Sequence, residues 1–156
     1  MTDDLFTDQQ PKAQSVFVCV PGDPVGKGRP RITTIGGFAR TYTPEKTKKY
    51  EQHVRLEAAL SMRGAPLIKG PVELKLQIFM PIPDSYSKKK AQLCREQRVV
   101  PTKKPDLDNV LKAVCDAFNG IVWVDDTQVV DCHVTKRFAD EACVICIVTP
   151  LDLLSS

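Results

Sequence analysis

The chain changes its hydrophobic period partway along, and that change most limits what it can fold into. Val72, Leu74, Leu76, Ile78 and Met80 alternate with Glu73, Lys75 and Gln77, the period of a strand with one buried face. Leu107, Val110, Leu111, Val114 and Phe118 instead fall at i, i+3, i+4, i+7 and i+11, one apolar stripe of a helix. A strand face and a helix stripe that both need cover are satisfied by packing on one another. Other segments extend the pattern. Residues 15–20 alternate well enough for a first strand, and residues 31–43 read as a strand pair turned at Gly36-Gly37. Thr43-Pro44-Glu45 opens a helix, with Thr43 as cap and Pro44 at the first helical position. Tyr50, Val54, Ala58 and Met62 continue it at spacing four, Leu56 and Leu60 widen its stripe, and Gly64 and Pro66 end it. Residues 85–96 form a basic helical segment. Residues 121–124 read as a short apolar strand, Asp125-Asp126 as a turn, and 128–138 as another strand. Residues 142–149 are apolar on both faces, as a central strand is. The expectation is an α+β fold in a single domain over residues 15–150, a mixed β-sheet with two main helices packed on it. A flexible leader over residues 1–14 precedes it.

A chain of 156 residues is long enough to bury a core of its own. No apolar run approaches the roughly 18 residues that span a bilayer. The acidic, polar start lacks the features of a signal peptide, so the expected location is cytoplasmic. Six cysteines are scattered without a framework spacing. Cys143 and Cys146 form a C-x-x-C inside a strand-like run, where residues three apart face opposite sides, and no second pair completes a zinc site. Reduced, mostly buried thiols are expected.

The chemistry gathers where the helical period begins. Lys-Pro-Asp-Leu-Asp-Asn occupies residues 104–109, and Asp125-Asp126 follows an apolar run. Four carboxylates held close repel one another by roughly 4 kcal/mol per pair at ~4 Å and an effective dielectric of ~20. A divalent cation relieves this, and Mg²⁺ favours a few carboxylates with phosphate oxygens and water. Asp106 and Asp108, two apart, would face nearly opposite ways inside a helix but share a side in extended chain. Pro105 favours extended geometry before it, so the pair sits where a loop enters a helix. Simple capping by Asp106 is the plain alternative; it leaves the other three acids unexplained. Lys112, one turn after Asp108, is either its i, i+4 ion-pair partner or a cation that meets a phosphate and stabilises transition-state charge. Lys136 shares a strand face with Val130, Cys132, Val134 and Phe138. That face looks buried, so Lys136 either snorkels at a strand end or projects into the acidic site.

Net charge is only +3, and it argues for nucleic acid through distribution alone. Basic clusters stand at Lys27, Arg29 and Arg31, at Lys46, Lys48 and Lys49, at Lys88, Lys89 and Lys90, and at Lys103 and Lys104. Singly each is a solvated face; around an acidic site they make a track for phosphates. His53 and His133 lack partners at ligand spacing and read as surface residues. Nothing suggests a Ser-His-Asp or Cys-His nucleophile, and no glycine-rich phosphate loop precedes a helix.

Residues 104–120 (Lys-Pro-Asp-Leu-Asp-Asn-Val-Leu-Lys-Ala-Val-Cys-Asp-Ala-Phe-Asn-Gly) and 124–130 (Val-Asp-Asp-Thr-Gln-Val-Val) resemble the RusA-type endodeoxyribonucleases, the Holliday-junction resolvases of bacteria and their prophages. Lys136, the Lys-Gly-Arg-Pro-Arg element at 27–31 and Tyr-Thr-Pro at 42–44 support the resemblance, which spans about residues 15 to 148. It implies a homodimer that binds branched DNA, a four-way junction, and makes paired Mg²⁺-dependent nicks, with Mn²⁺ as a substitute and no small-molecule cofactor or membrane. It implies that Asp106, Asp108 and Asp126 are catalytic metal ligands and Lys112 the active-site lysine, with Asp125 and Lys136 in support. Lys27, Arg29, Arg31, Lys88, Lys89, Lys90, Lys103 and Lys104 are the expected DNA contacts. The acidic leader departs from the family pattern, and the element at 27–31 belongs to a phage-type branch. The competing readings are a nuclease for flaps or other branched DNA, a non-catalytic DNA-binding module, and a metal-stabilised regulatory protein without a nucleic-acid partner.

Overall fold

Ten short segments of regular structure order the chain in the computed structural model, which describes residues 14–156. They run β1 (Val16–Pro21), β2 (Arg31–Ile35), β3 (Phe38–Tyr42), α1 (Glu45–Met62), β4 (Val72–Pro81), α2 (Lys88–Arg95), α3 (Leu107–Phe118), a 3-10 turn (Asp126–Gln128), β5 (Val129–Ala139) and β6 (Cys143–Pro150). The expected leader over residues 1–14 lies, but for its last residue, outside the described residues.

The main sheet has the order β1-β6-β4-β5. β6 runs antiparallel to both β1 and β4, whereas β5 runs parallel to β4. The sheet is therefore mixed, as expected, and β6 and β4 are its interior strands. One face is built from Val18 and Val20, from Leu74, Leu76 and Ile78, and from Val144, Cys146 and Val148, all fully buried. The stripes Val54-Ala58 of α1 and Val110-Val114-Phe118 of α3 cover it. Each large aliphatic buried there contributes roughly 1.5–3 kcal/mol relative to exposure. β2 and β3 form a separate two-stranded hairpin turned at Gly36 and Gly37, whose φ angles of 60° and 80° suit glycine. Among the described residues no helix is long and apolar enough to cross a membrane.

Several local expectations are corrected. Pro44 itself holds the cap position of α1, without any side-chain hydrogen bond, so Thr43 does not cap it. Leu56 and Leu60 do not widen the stripe; they are 58% and 63% exposed, because each stands two residues, about 200°, from the buried Val54 and Ala58. The basic helix starts only at Lys88, where Ser87 Oγ accepts from the Lys90 amide at 3.2 Å. Residues 121–124 are not a strand. The buried Trp123 ring meets Phe118 edge-on at 5.4 Å, and its Nε1 donates to Asn119 Oδ1 at 2.7 Å. This folds the backbone back onto the end of α3, leaving only isolated bridges. The supposedly buried face of β5 is largely open, since β5 is an edge strand: Val130 and Cys132 are exposed, Val134 and Lys136 half-buried, and only Phe138 is buried. All six thiols are free, but only Cys94 and Cys146 are buried; Cys115 and Cys143 are partly covered, Cys19 and Cys132 exposed.

Candidate active site

α3 begins beside a loop gripped from behind. Lys136 Nζ, on β5, donates to the backbone oxygens of Lys103 at 2.9 Å and Pro105 at 3.0 Å. Lys136 thus neither snorkels into water nor meets the acids; it holds the main chain that delivers Asp106. Asp106 is extended (φ −68°, ψ 142°) at the N-terminal boundary of α3, and its carbonyl accepts from the Val110 amide at 3.2 Å. Its carboxylate makes no capping bond; a long 3.5 Å contact from Asn109 Nδ2 is its hydrogen bond among the described residues. Asp108, exposed in the first turn, stands two residues beyond. Plain capping therefore does not account for Asp106.

The second acidic pair is divided by its hydrogen bonds. Asp125 Oδ1 accepts from the Asp126 amide and Oδ2 from Thr127 Oγ1, both at 3.0 Å. Gln128 completes the turn: its Oε1 accepts from the amides of Val124 and Asp125, while its Nε2 donates to the carbonyls of Ile68 and Gly70. Asp125 is thus committed to holding the 3-10 turn, whereas the half-buried Asp126 carboxylate is left without a hydrogen bond among the described residues. The turn packs on α3. Burial first, then the Asp126 charge, pushes the Cys115 thiol of α3 up to about 12, with Lys112 acting in the opposite direction. Asp126 and Lys112 therefore lie within electrostatic reach of the same point on α3.

Lys112 is 64% exposed, and its Nζ stands 3.8 Å from Asp116 Oδ2, one turn onward. The expected pairing back to Asp108 does not form. Asp116 also binds Lys27, whose ammonium turns inward between Asp116 and Glu51 Oε1, the latter at 3.2 Å but off the hydrogen-bonding direction. Burial disfavours the Lys27 charge; the hydrogen bond and charges of Asp116 and Glu51 outweigh it and hold the pKa above the usual lysine value. Lys27 thus ties its segment to α1 and α3, unlike the exposed Arg29, Arg31, Lys88, Lys89, Lys90, Lys103 and Lys104. Lys90 also caps the Tyr86 ring at 3.8 Å from its centroid. The backbone closes the same junction: the Lys27 amide donates to Asn109 O at 2.9 Å, and a Cβ on Gly26 would stand 3.0 Å from that of Asn109 and 3.2 Å from that of Pro105. Asp116, Glu51 and Gly26 escaped sequence reasoning. The i, i+4 spacing of Lys112 and Asp116 was visible, but their third partner lies 89 residues away from Asp116.

Replacing Lys27 by methionine should destabilise the fold by about 1–3 kcal/mol, between an exposed and a buried pair. A lysine raised on folding contributes stability that is complete below its unfolded pKa, 10.5, and disappears as pH rises through the higher folded value. Urea denaturation of the two proteins should thus differ at pH 7 and converge well above pH 10.5.

Asp106, Asp108 and Asp126 have no ion-pair partner among the described residues. Unpartnered hard carboxylates fit a hard divalent cation that retains waters and takes phosphate oxygens. They form no closed cage, since among the described residues no three Asp, Glu, His or Cys side chains converge on a common point. A concavity of about 870 Å³ lies elsewhere, bordered by Phe17, Leu60 and Met62. The acids stand on an open surface, accessible to a polymer.

The comparisons with known proteins fit this geometry. The family described as "Endodeoxyribonuclease RusA" matches residues 21–148, which include both acidic elements, Lys112 and Lys136. An uncharacterized protein, YqaN of Bacillus subtilis (strain 168), is 40% identical over 124 residues, covering 78% of this chain and 87% of that protein. The chain belongs to the RusA endodeoxyribonuclease family.

Proposed function

We propose that this protein is a divalent-metal-dependent endodeoxyribonuclease that resolves four-way DNA junctions by paired nicks, as a homodimer, in recombination and repair in the cytoplasm. One observation carries the reading: Asp106 and Asp108 at the N-terminal end of α3, and Asp126 on the 3-10 turn packed against the same helix, have no ion-pair partner among the described residues, amid exposed lysines and arginines. Family membership supplies the chemistry of DNA strand cleavage. Residues 15–150 would be the nuclease domain.

Asp106, Asp108 and Asp126 would hold Mg²⁺, with Mn²⁺ able to replace it. A bound divalent ion lowers the pKa of water and polarises phosphate oxygens. The remaining residues orient and neutralise. Lys112 extends an exposed ammonium from the face of α3 and meets charge developing on the phosphate. Asp116 restrains that ammonium from one side. Lys136 fixes the loop ahead of Asp106, and Asp125 shapes the turn that presents Asp126. Arg29, Arg31, Lys88, Lys89, Lys90, Lys103 and Lys104 bind phosphates without reading sequence. Lys27, paired internally, contributes by anchoring Arg29 and Arg31 rather than by contact with DNA.

The test is a Mg²⁺ cleavage assay on a synthetic four-way junction beside a matched duplex and a flap. Symmetric nicks on the junction alone support resolution. Equal cutting of all three leaves a less selective nuclease for branched DNA. Salt-dependent binding without cutting indicates a non-catalytic DNA-binding module, and DNA affinity that ignores salt excludes phosphate binding altogether.

A further inference from the structure

The β2–β3 hairpin stands outside the main sheet, and its surface is unlike the rest of the protein. Ile32, Ile35, Phe38 and Tyr42 are 73%, 55%, 75% and 44% exposed. A lone two-stranded hairpin is marginal in water, and exposed apolar side chains concentrated on one element mark a surface that meets a partner.

Charge selects the partner. Residues 29–43 contain Arg29, Arg31 and Arg40 and no carboxylate. The register sets Arg31 opposite Tyr42, Thr33 opposite Arg40 and Ile35 opposite Phe38, so these side chains share one face. That face is cationic with an aromatic at its root and purely apolar at its tip. A second copy meeting it face to face would bring the arginines of both copies into one contact with no carboxylate to pair them. A polyanion with flat apolar surfaces complements it along its whole length, and DNA with unstacked bases is such a polyanion. A two-stranded ribbon is also narrow enough to enter a DNA groove, and apolar side chains at a tip are the means by which proteins wedge apart base steps.

The root of the hairpin lies at the acidic site. Gly26 and Lys27 press against Asn109 and Pro105 beside Asp106 and Asp108, and the Gly28 amide donates to the buried Thr47 Oγ1 at 3.1 Å. The arm is thus fixed to the same helix entrance that carries the carboxylates.

We propose that the hairpin is a DNA arm in which Arg31 and Arg40 hold phosphates while Ile35 and Phe38 pack on bases unstacked at a branch point. This rests on the junction-cleaving reading and adds to it the element that recognises the branch. Arg40, Ile35 and Phe38 become specificity residues of the enzyme, separate from its metal ligands.

The full-length protein would be titrated, without metal, onto a four-way junction with 2-aminopurine at the branch and onto a matched linear duplex. Cleavage would be followed in Mg²⁺. Wild type should raise the junction fluorescence. Phe38→Ala combined with Ile35→Ala should lose most of that rise and about tenfold in junction affinity, with duplex affinity unchanged. Arg31→Ala and Arg40→Ala should each reduce the slope of log affinity on log salt by about 1 on both DNAs. Leu56→Ala, an equally exposed apolar change on α1, should alter neither. A tip variant that keeps fluorescence and affinity while wild type resolves junctions overturns the arm and leaves the resolvase reading standing. A wild type that neither binds nor cuts junctions overturns both. A tip variant that instead breaks up an assembly of wild-type chains in sedimentation, with branch fluorescence intact, makes the hairpin a contact between copies and rejects the DNA arm.

Discussion

Asp108→Asn is expected to abolish nicking, with a loss of about 10³ or more in Mg²⁺, while junction affinity without metal holds or rises. The change is nearly isosteric and falls on an exposed side chain with no ion-pair partner among the described residues. Folding should lose no more than the ~0.3–1 kcal/mol that an acid gives a helix N-terminus. What disappears is an anionic ligand, and with it repulsion toward phosphate. The second pair makes a sharper comparison. Asp126→Asn should resemble Asp108→Asn, because its carboxylate is uncommitted. Asp125→Asn should retain most activity and lose about 1 kcal/mol of stability, because both Asp125 oxygens hold the turn. Initial nicking rates beside urea melts decide it: an active Asp126→Asn with an inactive Asp125→Asn would reverse the assignment.

Trp123→Ala should give the largest stability loss of any single change considered, about 3–5 kcal/mol by urea denaturation. The ring is fully buried, packs edge-on against Phe118 and donates to Asn119. Because Trp123 fills the space between the end of α3 and the turn carrying Asp125 and Asp126, nicking should fall even where the variant remains folded. Trp123→Phe separates volume from polarity. It restores most of the packing but leaves Asn119 Oδ1 without its donor, and should cost about 1–3 kcal/mol. An alanine variant as stable as wild type would mean that the turn is held mainly by Gln128, through its four backbone contacts.

The elements legible in the sequence were those whose faces are wholly buried or wholly exposed. β4 and α3 show clean periods because both are pressed between neighbours. β5 misled because an edge strand needs few buried side chains: Val130 and Cys132 are exposed, while Val134 and Phe138 pack. Residues 121–124 misled because a buried tryptophan reads equally well as strand or turn, and the Asn119 contact that decides it is a matter of side-chain geometry. In the site, the extended entry of Asp106 followed from Pro105 and the onset of the helical period. The separate roles of Asp125 and Asp126 could not be read, since they depend on which oxygen meets which donor. Lys27 looked like its basic neighbours; only the approach of α1 and α3 shows that its charge is already matched.

The parallel pairing of β4 with β5 has a consequence for how the molecule forms. Parallel neighbours cannot be joined by a tight turn, and here residues 82–128 make the crossing, carrying α2, α3 and the acidic turn. Lys136 then reaches from β5 back to the loop at the start of α3. Non-local pairings of this kind are gained late in folding, after the intervening chain has been ordered. Pairing β5 with β4 and fixing the loop ahead of Asp106 are accordingly linked events, joined through Lys136.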